Sequence, residues 1–143
     1  MKNIIVKAIN KKDFNNTQPS ELVEMIFDDL LALLRFIHQA KKDGALKGSF
    51  QFTSQIDYLD SCWHHFILYT AYYYKFCFEE FGEYLHHMPE EETSGDPGSE
   101  RATLSQVIED QISLIEKYLG VDFAHRIFFI YPEILKMGAQ SEL

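Results

Sequence analysis

Apolar positions recur at helical spacing in three stretches of the chain. Between Glu21 and Lys42 one face carries Leu22, Val23, Ile26, Phe27, Leu30, Leu33, Leu34 and Ile37. Glu21, Glu24, Asp28, Arg35, His38 and Lys42 form a polar stripe opposite it. This pattern predicts an amphipathic helix with Ser20 as N-cap and Pro19 at its boundary. Acids begin it and lysines end it, which matches the helix dipole, and Asp43-Gly44 stops it. The second stretch, Ile56–Phe81, is about 26 residues without Gly or Pro, too long for a strand. Wound as one helix, it puts Asp60, Trp63, Ile67, Leu68, Ala71, Tyr74 and Phe78 on one face. Cys62, Phe66, Tyr69, Thr70, Tyr73, Phe76 and Cys77 fall on the other. A helix apolar on both sides is expected at the centre of a bundle. Thr53 or Ser54 would cap it, and Gly82 suits the left-handed residue that ends it.

The third stretch starts at a cap on Ser99 or Thr103 and runs to Leu119. Its apolar face is Leu104, Val107, Ile108, Ile112, Ile115, Tyr118 and Leu119. Gly120 closes it, Val121–Ile130 reads as a short helix capped by Asp122, Pro132 breaks that helix, and Lys136–Leu143 frays. Met1–Phe14 alternates weakly through Ile4, Val6 and Ala8, which suggests a short N-terminal strand or arm. Ala45–Phe52 is a connector and Gly82–Pro89 a turn. Residues 90–100, EEETSGDPGSE, read as an acidic mobile loop. The expected fold is all-α: a single domain over residues 1–143, a compact bundle of about four helices around the aromatic-rich Ile56–Phe81.

Charge narrows the function. The 143 residues carry a net charge of −9, and Lys11-Lys12 and Lys41-Lys42 are the longest basic runs. Nucleic-acid binding draws its affinity from neutralising phosphates, and an acidic surface is repelled by anionic membranes, so neither partner is expected. The N-terminal apolar run, Ile4–Val6, is too short for a signal peptide or a span. In a continuous helix Cys62 and Cys77 would lie roughly 22 Å apart along the axis, far beyond disulfide reach. Two unpaired thiols and no export signal point to the cytoplasm.

Two groups of residues can carry chemistry. Asp60 and His64 are spaced i, i+4 and share a helical face, as a carboxylate does when it orients a metal ligand or a base. They also suit a self-satisfied polar pair. Cys77, His86 and His87 form the second group, a soft ligand set without an established zinc spacing. A continuous helix would keep the two groups apart. His64 and Gly82 would be roughly 27 Å apart along the axis, and the four residues to His86 return at most ~14 Å. Only a broken helix, or a ligand from His38 or His125, would assemble a site with several His. The sequence has no Gly-rich phosphate loop, GxSxG, HExxH or paired CxxC.

The pattern Asp60-x-x-Trp63-His64-x-x-Ile67-Leu68-x-Thr70-x-x-Tyr73-x-x-x-Cys77-x-x-x-Phe81-Gly82-x-x-Leu85-His86-His87-x-Pro89 resembles the signature of the glycine-rich domain-containing protein-like family. Leu33–Ile37 and Tyr118-Leu119-Gly120 sit where that family would place a first and a closing helix, so the resemblance spans Leu30–Pro132. Phe66 stands where the family often has a second His, and the glycine-rich tail of its plant members is missing. The resemblance implies a small stand-alone bacterial type and no particular reaction.

The leading expectation is a cytoplasmic, non-enzymatic interaction module. It would recognise a protein partner through Trp63/His64 and Tyr84–Pro89, with Asp60, Trp63, His64, Tyr73, Cys77, His86 and His87 as the binding set. The alternative is a metal- or small-ligand-binding protein, with an enzyme included. It would use the Asp60/His64 pair or the Cys77/His86/His87 cluster and zinc or iron as the metal. A third reading makes the motif architectural, with Asp60, Trp63 and His64 locking helices through buried hydrogen bonds.

Overall fold

A computed structural model describes residues 2–87 and 97–141, with side chains over 2–87 and 105–137. The helices are α1 (Lys2–Phe14), α2 (Ser20–Lys42), α3 (Asp57–Leu68), α4 (Thr70–Phe81), α5 (Pro97–Leu119), α6 (Val121–His125) and α7 (Tyr131–Ser141). A 3-10 turn, Ser54–Ile56, precedes α3, and a π-turn, Arg126–Ile130, joins α6 to α7. The expected all-α class holds, and the described residues contain no strand. No helix among them is long and apolar enough to cross a membrane.

Helix α2 lies among four other helices. Its stripe from Val23 to Ala40 is buried, and it packs against α1, α3, α4 and α5. The one-sided pattern that predicts an amphipathic helix here therefore faces neighbours on several sides.

The N-terminal strand or arm is instead a helix. Ile5 and Ile9, four apart, are buried while Ile4 is exposed. The period is thus helical, and the alternation through Ile4, Val6 and Ala8 is too short to discriminate. Asn15 and Asn16 end α1 in left-handed conformation, φ 53° and 59°, which Asn tolerates better than most residues. The Asn16 N–H then bonds the Asn10 carbonyl at 2.9 Å, six residues back, and satisfies one of the carbonyls that a helix end leaves without a partner.

The 26-residue central helix is in fact two. Tyr69 sits at φ −85°, ψ 67°, close to an inverse γ-turn, and its N–H bonds the Phe66 carbonyl at 3.0 Å. Neither Gly nor Pro marks the break. Gly82 closes α4 at φ 70°, as expected. Residues 97–100, read as part of the acidic loop, open α5, with Pro97 at its first position, where its missing N–H costs nothing. The rest of that loop, and Met88 and Pro89 before it, lie outside the described residues.

Pro132 does not stop the C-terminal helix. The Tyr131 N–H bonds back to the Arg126 carbonyl in the i→i+5 register. The π-turn thus shifts the hydrogen-bond ladder just before the residue that cannot donate. It also carries Arg126 to Asp29 of α2, in a two-pronged pair at 3.0 Å for both prongs. Tyr131 Oη donates to the same carboxylate at 2.5 Å, and Tyr58 Oη donates to the Ile127 carbonyl at 2.7 Å. These contacts fasten the C-terminal helices to α2 and α3.

Candidate functional site

The break at Tyr69 is what builds the site. Trp63 is buried at 3 % exposure, and its indole Nε1–H donates to Tyr73 Oη at 3.0 Å. In one straight helix these residues would be roughly 15 Å apart along the axis, so the bond exists only because α3 and α4 fold against each other. Tyr73 Oη in turn donates to the Leu85 carbonyl at 2.5 Å. Burial pushes the Tyr73 phenol well above its ordinary pKa, so it keeps its proton and both bonds keep their direction. The segment after Gly82 is tied by this bond alongside α4 and runs back towards α3.

His87 arrives on that segment. Its ring stacks on Trp63 with centroids 4.1 Å apart and lies 4.7 Å from the His64 ring. His87 Nε2 is 2.5 Å from Asp60 Oδ1. One ligand atom from each of Asp60, His64 and His87 lies within 4.8 Å of the others. Asp60 and His87 are half-buried and His64 is exposed, so the cluster is reachable from solvent. The expected Asp60/His64 pair is therefore present and is completed by an imidazole that a continuous helix would have kept away.

The second predicted cluster does not form. Cys77 is fully buried beside Tyr73, and among the described residues it is not grouped with His86 or His87. Cys62 is also buried, and burial pushes its thiol well above the usual range. Both cysteines are free. His86 is exposed and turns its ring to Tyr84, 4.8 Å away. Of the predicted residues, Asp60, His64 and His87 form the cluster, His86 flanks it, Trp63 and Tyr73 support it from the core, and Cys77 lies apart.

A cavity of about 270 Å³ opens beside the cluster. Asp60, His64, His86 and His87 line one part of it; Trp63, Phe50, Phe52, Ile37, Ser49 and Lys41 line the rest. The wall formed by Phe50 and Phe52 is fixed by a residue far along the chain. Gln111 of α5, 1 % exposed, accepts from the Gln51 N–H and donates to the Gln51 carbonyl, both at 2.8 Å. Both backbone groups between the two phenylalanines are thereby satisfied. Behind α3, the buried carboxylate of Asp13 accepts from Ser61 Oγ and meets His65 Nδ1 at 2.9 Å. It is 5 % exposed and fixes the helix that carries Asp60 and His64 against α1.

Sequence reasoning misses Asp13, Lys41, Phe50, Phe52, His65 and Gln111. Each acts across a long chain separation, where periodicity carries no signal. The His86-His87 doublet is visible in the sequence, but the assumption of a continuous helix sets it apart from Asp60 and His64.

The chain belongs to the UCP032817-like family, which it matches over residues 5–109. That match corrects the resemblance to the glycine-rich domain-containing protein-like family, for which nothing speaks. No curated protein matches the chain, and no solved structure does.

Proposed function

We propose that this member of the UCP032817-like family binds a divalent transition metal through Asp60, His64 and His87. The observation that carries the reading is the convergence of two imidazoles and one carboxylate, with ligand atoms within 4.8 Å, at the edge of a cavity. Two His and one carboxylate are a ligand set for catalytic zinc and for non-haem iron. In both cases three protein ligands leave further positions for water or a bound molecule. Here those positions would face the cavity, where the metal can polarise whatever oxygen it holds. The surroundings suit a metal centre, since Trp63 backs His87, the Tyr73–Leu85 bond holds its segment, and Asp13 anchors α3. Two free buried thiols support a reducing compartment such as the cytoplasm.

The reading as a protein-recognition surface has less support. Its anchor, Trp63, is almost wholly buried and already spends its N–H on Tyr73, whereas recognition hot spots are aromatics available to a partner.

The test is cobalt titration of chelator-free protein, read by visible absorption and by the fluorescence of Trp63, the single tryptophan. One equivalent should bind and perturb both signals. His87→Ala and His64→Ala should each weaken binding by a factor of ten or more, with helicity unchanged. If wild-type protein binds no cobalt and purifies without zinc or iron, the reading fails. The Asp60–His87 contact is then a pin for the return segment.

A further inference from the structure

The cavity next to the cluster has a composition at odds with the rest of the molecule. The chain has 22 acidic and 13 basic residues, yet the cavity wall sets one carboxylate, Asp60, against Lys41 and three imidazoles. Lys41 pairs with no carboxylate among the described residues. A divalent ion on Asp60, His64 and His87 would leave the wall net positive even with every imidazole neutral. Low-dielectric walls focus such a field on an entering anion. The rest of the wall is apolar and angular: Phe50 and Phe52 meet edge to face at 4.9 Å, and Phe52 lies tilted 5.9 Å from Trp63.

Resting on the metal reading above, we infer that the site takes a small carboxylate with an apolar body. The carboxylate is shared between the metal and Lys41, and the body lies against Phe52, the half-buried ring of that wall. Size sets the first limit. At roughly 20–30 Å³ per non-hydrogen atom, judged from the volume share of a water, a cavity of about 270 Å³ accommodates on the order of ten such atoms. Charge sets the second. A phosphate is usually held by several donors, by an Arg fork or by a helix N-terminus, and the wall offers one ammonium and no Arg. A monoanion matches one ammonium plus one metal position. Ser49 adds a hydroxyl to the same wall, available to the second carboxylate oxygen.

The experiment uses the full chain loaded with cobalt, titrated with benzoate, its neutral isostere benzamide, acetate and inorganic phosphate. Binding is read from the cobalt spectrum and by calorimetry. Benzoate should shift the spectrum and bind at least tenfold more tightly than benzamide or acetate. Lys41→Met, an exposed change that keeps the apolar stem, should weaken benzoate about tenfold and leave benzamide and cobalt affinity unchanged. Phe52→Ala should weaken benzoate more than acetate. Cobalt bound normally with no benzoate response overturns the inference and leaves the metal reading standing. Phosphate binding more tightly than benzoate overturns it as well, as does equal benzoate affinity without cobalt. Absence of any cobalt signal overturns both.

Discussion

Tyr73→Phe removes one oxygen and tests the central claim about this fold. That oxygen accepts from the Trp63 indole at 3.0 Å and donates to the Leu85 carbonyl at 2.5 Å. Tyr73 is 0 % exposed, and Trp63 and Leu85 are also buried, so water cannot replace the lost partner. Each buried group left unpaired costs about 1–3 kcal/mol. The carbonyl keeps a second lone pair and the ring keeps its packing, so the sum should fall at about 2–4 kcal/mol. For a chain of this size, with roughly 3 °C per kcal/mol, the melting temperature should drop by roughly 6–12 °C. Urea unfolding should show a lower midpoint at unchanged slope, because the surface exposed is the same. The loss should also reach the site. Leu85 is two residues before His87, so the freed segment should weaken cobalt binding several-fold and shift the indole N–H resonance of Trp63. A loss below 0.5 kcal/mol, or an indole resonance that does not move, would refute the claim that Tyr73 ties the broken helix to the return segment.

Two further outcomes follow from the same physical chemistry. Asp29→Ala strips both prongs from Arg126 and the acceptor from Tyr131. Because Arg126 is one-third exposed, the cost is below that of a fully buried pair, about 2–3 kcal/mol. Tyr131→Phe in that background should add little, and full additivity in urea melts would contradict a shared network. Alkaline pH gives the other. Burial is the first cause that raises Tyr58, Tyr73 and Tyr131 above the usual phenol range. The folded state therefore keeps protons that the unfolded chain gives up above about pH 10. Stability is fully present below that pH and falls as pH rises through it. Tyrosinate absorbance should thus appear in two phases, with these three of the eight tyrosines ionising only as circular dichroism is lost. A single phase near pH 10 with intact helices would contradict it.

What can be read from the sequence follows from how local each signal is. The C-terminal ends of α2 at Lys42 and of α5 at Gly120 and the left-handed Gly82 rest on periodicity and turn chemistry within a few residues, and they stand. The expected Ser20 cap does not, because Ser20 is already helical and Pro19 takes the cap position without a side-chain bond. The Asp60–His64 spacing is equally local, and the two side chains do lie together on α3, beside His87. The α1 helix is hidden because its apolar residues fit a period of two about as well as one of 3.6 over so short a span. The continuation through Pro132 is hidden because the compensating π-turn leaves no compositional mark. Asp13 beside His65, and Gln111 around Gln51, are contacts between distant parts of the chain. Only the assembled fold brings them together.

The break at Tyr69 is a different case, because its cause lies outside the residue itself. Tyr69 has an ordinary side chain, and no Gly or Pro flanks it. A straight helix here would satisfy every backbone group locally, so something must offset the interrupted ladder. The fold supplies it on both sides of the turn. Phe66 packs edge to face on Tyr73 at 5.0 Å and against Phe76 at 5.6 Å, and the Trp63 indole finds Tyr73. In an unbroken helix Trp63 would need another acceptor for its N–H, which a buried indole seldom goes without. Apolar residues on both faces of Ile56–Phe81 are therefore what two short helices need when each buries a different side. The same pattern that suggests one central helix is the record of its folding in two. The fold-back also decides which side chains meet: with the helix straight, Asp60 and His64 are a pair on a surface, and with it broken His87 joins them at the mouth of a cavity.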